Sequence, residues 1–114
     1  MKLSYVSAVA CLFWSLSAYS AGFFSGNQLL QMMKGDALER ATAMGFVAGV
    51  HDGQDLVSTS VGNKVPIVCA PTGVTLKQIN DVAQKHLEQK PESRHYTASS
   101  EIILALITAW PCKK

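Results

Sequence analysis

Three helix starts in this chain are written in the same local code. Ser25-Gly26-Asn27-Gln28 places a hydroxyl that accepts from the backbone three residues on, and a Gln that reaches back to the amide of residue 25. Asp36-Ala37-Leu38-Glu39 and Thr75-Leu76-Lys77-Gln78 repeat the device. Phe24 with Leu29, and Val74 with Ile79, supply the apolar pair that staples such a start. Gly35 stands where a first helix would stop, and Thr97 heads a fourth helix, with Glu101 near its positive end. Three boxes in so short a chain restrict it to an all-α fold, a small four-to-five-helix domain.

Hydrophobic spacing gives the same answer. Ile79, Val82, Ala83 and Leu87 fall on one face of the third helix, with Asp81, Lys85 and Glu88 elsewhere. The segment Ala98 to Trp110 is apolar nearly all round, which suits a buried central helix that Pro111 ends. In the second helix, from about Ala37 to Leu56, the residues Ala41, Gly45, Gly49 and Gly53 recur every fourth position. Each interior glycine costs about 1 kcal/mol relative to alanine, so a ridge of three implies that another backbone comes close. Packing against the last helix is the favoured reading, and a helix-on-helix dimer contact is the alternative. Polar connections are expected at Ser58 to Pro66, with a turn at Gly62-Asn63, and at Gln89 to Tyr96.

The first twenty residues read differently. Lys2 is followed by the apolar stretch Val6 to Leu16 and then by small residues up to Ala21. That order is expected of a removed secretory signal, residues 1–20, with cleavage after Ala18 or Ala21 as alternatives to Ser20. The stretch is shorter than the roughly 20 apolar residues a spanning helix needs. A lipid-modified Cys11 fits less well. The mature domain, 21–114, would then be periplasmic or secreted and would retain two of the three cysteines, Cys69 and Cys112. An even count in an exported chain predicts one disulfide, tying the last helix to the middle of the fold.

Composition excludes several classes. Without Lys2 the ten Lys and Arg become nine, against eight Asp and Glu, so neither a nucleic-acid-binding stripe nor an acidic tail is present. His51, Asp52 and Asp55 form the only cluster resembling a site, since positions 51 and 55 share a helical face. No second histidine stands beside them, and a solvated helix end is the simpler reading. Nucleophile elbows, phosphate-binding glycine loops and zinc spacings are missing, so neither an enzyme nor a cofactor is expected.

Several strings converge on a known family. Ser25-Gly26-Asn27-Gln28-Leu29-Leu30 resembles the opening of the type VI secretion immunity proteins of the Rap/Tai family. Gly45-Phe46-Val47-Ala48-Gly49-Val50 is similar to the family's G-Y-x-x-G-V helix, with Phe for Tyr. Cys69-Ala70-Pro71 with Gly73-Val74-Thr75 and Gln78 resembles its C-x-P-x-G-V-T-x-x-Q segment. Pro91-Glu92-Ser93-Arg94-His95 and Pro111-Cys112 resemble two further motifs. Many members carry two more cysteines, where this chain has Met33 and Ala43.

The resemblance implies a periplasmic helical protein, often a homodimer, that plugs the cleft of a peptidoglycan amidase. It requires no cofactor, nucleic acid or membrane after signal cleavage. The loop carrying Glu92, Arg94 and His95 is the expected plug, supported by the helix end at His51, Asp52 and Asp55. A small periplasmic chaperone or stress protein is the alternative from another functional class.

Overall fold

The computed structural model describes residues 22–60 and 66–113, so the signal segment and the Gly62-Asn63 turn lie outside it. Four α-helices follow in order: α1 Gly26–Met33, α2 Ala37–Ser60, α3 Leu76–Gln89 and α4 Ala98–Ala109, with a 3-10 turn at Pro91–Ser93 between the last two. Among the described residues the only extended pairing is an isolated antiparallel bridge between Ser25 and Thr97.

The helix starts form as their sequences dictate. Ser25 and Thr75 each accept from the amide three residues on, and Gln28 and Gln78 accept from the amides of Ser25 and Thr75 in return. Asp36 and Glu39 exchange the same pair of bonds, each at 2.9 Å. Gly35 has ordinary negative φ. Its role is steric, because a Cβ there would collide with the Glu39 carboxylate folded over it. Thr97 departs from expectation: its hydroxyl donates to Ser100 Oγ at 2.9 Å and makes no cap bond to the helix backbone.

Helix α2 is longer than its hydrophobic pattern predicts, continuing from Leu56 to Ser60. Ser58 and Thr59 return their hydroxyls to the carbonyl of Asp55 at 3.0 Å, which satisfies them inside the helix instead of in a turn.

The core is shared by all four helices. Leu29, Val47, Leu87, Ile102 and Leu106 are fully buried, and Phe24 meets Phe46 edge-on at 5.2 Å at its margin. Helix α3 buries Ile79, Ala83 and Leu87 as its periodicity predicts. Met33 and Ala43 are buried in the same core. Helix α4 packs against α3 along its length, yet one side stays open, where Leu104 is half exposed.

The glycine ridge corrects an expectation. Ala41, Gly45, Gly49 and Gly53 all face outward, and a Cβ at any of the three glycines would meet nothing within 4 Å. The inward face of α2 is Ala43, Val47 and Ser58 instead. The ridge is therefore not the crossing with the last helix.

Cys69 and Cys112 are bonded, with Cα atoms 5.0 Å apart. The amide of Cys69 also donates to the carbonyl of Trp110 at 3.0 Å, so the extended approach to α3 is fixed to the end of α4 twice. Between Cys69 and α3, Val74 donates to Pro71 across a turn whose third residue, Gly73, has φ +92°. Glycine is required there because side chains rarely adopt that backbone.

Candidate functional site

The connection from α3 to α4 is an exposed segment held by several backbone hydrogen bonds. Lys90 closes α3 by donating to His86 O, and Pro91 then opens the 3-10 turn, where its missing amide costs nothing. Ser93 donates back to Lys90 O, and Tyr96 to Ser93 O. Helix α1 holds the far side. Its first two amides, which have no partner inside their own helix, donate to loop carbonyls: Gly26 to Tyr96 O at 2.9 Å and Asn27 to Arg94 O at 2.8 Å. Ala98 in turn donates to Phe24 O at 2.8 Å.

Below the loop sits a buried acid. Glu101 is 1% exposed, and its Oε2 accepts from Ser93 Oγ at 2.8 Å and shares a hydrogen bond with His86 Nε2 at 3.0 Å. The sequence places Glu101 in the first turn of α4, where its charge favours the positive end of the helix dipole. Its burial was not legible, because the His86 and Ser93 that satisfy it come from other segments. His86 itself is half-buried on α3.

Surface ion pairs contribute little to this frame. Lys90 approaches Glu92 at 4.0 Å and Lys34 approaches Glu88 at 3.6 Å, all four side chains well exposed. Such pairs are worth about 0–1 kcal/mol, less than one set of satisfied backbone bonds.

The frame leaves two of the three expected loop residues exposed. Glu92 and His95 are exposed and Arg94 is half-buried. The rings of His95 and Tyr96 meet at a tilt of 39°, with centroids 4.1 Å apart. Both rings border a shallow cleft of about 230 Å³ together with Phe24, Ser25, Gln28 and Thr97. Tyr96 is 57% exposed, and sequence reasoning passed it over as an ordinary loop residue.

The second group lies elsewhere. His51 Nδ1 is 3.4 Å from Asp52 Oδ1, and Asp52 is almost fully exposed. His51 and Asp55 line a separate cavity of about 210 Å³ with Gln54, Val68, Val74 and Ile79. Val74 and Ile79 mark the N-terminal end of α3, whereas the loop leaves its C-terminal end, 14 residues or about 21 Å along the helix. The structure thus does not join His51, Asp52 and Asp55 to Glu92, Arg94 and His95 in one cleft. Among the described residues no group of three or more His, Cys, Asp or Glu side chains is arranged to hold a metal ion.

A family model described as Rap1a immunity proteins matches residues 25–112. The chain belongs to this immunity protein family. The matched span begins at the capping residue of α1 and ends at the second disulfide cysteine, so it takes in every helix described. Among curated proteins and among solved structures, nothing matches significantly. For a member of an immunity family the useful surface is one that a toxin can meet. No described helix is long and apolar enough to cross a membrane.

Proposed function

We propose that this immunity protein acts in the periplasm, after removal of residues 1–20, against a peptidoglycan amidase delivered by type VI secretion. It binds the toxin through the Lys90–Thr97 loop and covers the active-site cleft, so that substrate cannot enter. Inhibition of this kind needs no chemistry from the immunity protein. It needs exposed side chains held on a rigid frame, since an ordered loop loses little entropy on binding.

The observation that carries this reading is the loop itself. Glu92, His95 and Tyr96 are exposed on a segment whose Arg94 and Tyr96 carbonyls are both taken by α1. Tyr and Arg are the side chains that dominate binding energy at protein interfaces. His51, Asp52 and Asp55, at the other end of α3, would form at most a second contact.

The outward ridge Ala41, Gly45, Gly49 and Gly53 supports a homodimer in which the α2 helices of two copies cross. Bare glycine backbone lets helices approach closely, and exposed Leu38 and Leu56 flank the ridge.

The test is direct. A peptidoglycan amidase delivered by type VI secretion, sought first as a secreted hydrolase encoded in a neighbouring gene, is purified and its cleavage of peptidoglycan measured with and without the immunity protein. Inhibition at equal molar amounts is expected. A chaperone would instead suppress aggregation of unrelated clients and leave the hydrolase active.

A further inference from the structure

Glu101 is the one charged side chain buried among the described residues, and it stands where an apolar residue would fit. Its helix neighbours on that face, Ala98, Ile102 and Ala105, are all buried. Burying a carboxyl group is costly even when it is hydrogen-bonded, and apolar replacements of buried polar groups often stabilise. The acid therefore serves something other than core stability. Both of its protein bonds converge on Oε2, while Oε1 has no protein partner. One bond reaches Ser93, the last residue of the 3-10 turn and the neighbour of Arg94. The other, to His86, holds the carboxyl in place from α3.

We infer that Glu101 is a positioning residue for partner binding: it holds Ser93, and through it the Arg94–Tyr96 segment, in the geometry that a toxin meets. The inference rests on the reading of that loop as the recognition surface. Helix α1 fixes the loop's carbonyls from one side, and Glu101 fixes its 3-10 turn from the other. With either tie cut, the loop would remain attached but would sample other conformations, and binding would bear the cost of ordering it.

The test pairs a readout without partner with one that includes it. Ser93→Ala removes the tie and leaves the core untouched, Ser93→Thr keeps the hydroxyl, and Glu101→Leu removes the acceptor. Amide hydrogen exchange in the free protein should accelerate at least tenfold at Asn27 and Tyr96 in Ser93→Ala and Glu101→Leu. The amide of Val47 should not change, and Ser93→Thr should restore protection. Affinity for the amidase that the wild-type protein inhibits should fall about tenfold or more in the same two variants. Unchanged exchange at Asn27 and Tyr96, or equal acceleration at Val47, would overturn the positioning role whatever the binding result. Local acceleration with unchanged affinity would overturn recognition by this loop, and the inference with it.

Discussion

Gly26 lies beneath the backbone of Arg94 so closely that a methyl group at position 26 would sit 2.9 Å from the Arg94 carbonyl oxygen and 3.1 Å from its Cα. Helix α1 and the exposed loop meet backbone to backbone here, and Leu87 Cδ2 closes the same spot at 3.0 Å. That contact explains why a glycine occupies the first position of a helix, inside a capping box that would tolerate larger residues.

Gly26→Ala tests this seat. Alanine is ordinarily preferred to glycine in a helix by up to about 1 kcal/mol. Here the obstacle is backbone that cannot rotate away, and overpacking of this kind costs about 1–3 kcal/mol. Urea unfolding should show net destabilisation. A gain in stability would mean that the loop moves aside without cost.

The Cys69–Cys112 bond closes a loop across a sequence separation of 43 residues. Loop-entropy arguments assign such a closure about 4 kcal/mol. A fully buried aliphatic side chain such as Leu29 contributes about 2 kcal/mol, so the bond counts for two core residues. Cys69→Ser with Cys112→Ser, or reductant alone, should lower unfolding stability by about 2–4 kcal/mol. A melting temperature indifferent to reductant would contradict this.

The two threonine starts should differ. Thr75 caps its helix from the side chain, and Thr75→Ala should cost about 1 kcal/mol. Thr97 donates only to Ser100, and Thr97→Ala should cost less than half as much. Chemical denaturation of the two variants side by side measures the difference; equal losses would mean that Thr97 caps in solution.

The α2 ridge separates fold from assembly. In a monomer Gly49→Ala adds a methyl to open space and should stabilise the helix by about 1 kcal/mol. If the ridge joins two copies, Gly49→Leu should leave the circular dichroism spectrum intact and shift sedimentation from dimer to monomer. A wild-type protein that sediments as a monomer up to high micromolar concentration would refute the contact.

Local interactions made most of the fold legible in the sequence. The boxes at Ser25, Asp36 and Thr75 depend on residues three apart, and the buried stripe of α3 on residues three and four apart. What was not legible depends on residues distant in sequence. The ridge of α2 turned outward because Ala43 and Val47 supply the inward face, and small-residue spacing alone cannot choose between the two sides of a helix. Glu101 reads from sequence only as a charge at the positive end of its helix, because His86 and Ser93 meet it only once α3 and α4 are packed. The α3–α4 loop was legible as the exposed candidate, while its bracing by Gly26 and Asn27 was not. Nor could the sequence place His51, Asp52 and Asp55 at the opposite end of α3, since that separation is set by how α2 lies against the rest.

The central claim is that this immunity protein silences its toxin by seating the braced loop over the active site. The most direct measurement is peptidoglycan cleavage by the candidate amidase toxin, titrated with wild-type protein and with an Arg94→Ala, Tyr96→Ala double variant that retains the wild-type unfolding midpoint. Stoichiometric inhibition by the wild type, and at least a hundredfold weaker inhibition by the variant, are predicted. Undiminished cleavage in excess wild-type protein, or equal inhibition by both, would contradict the account.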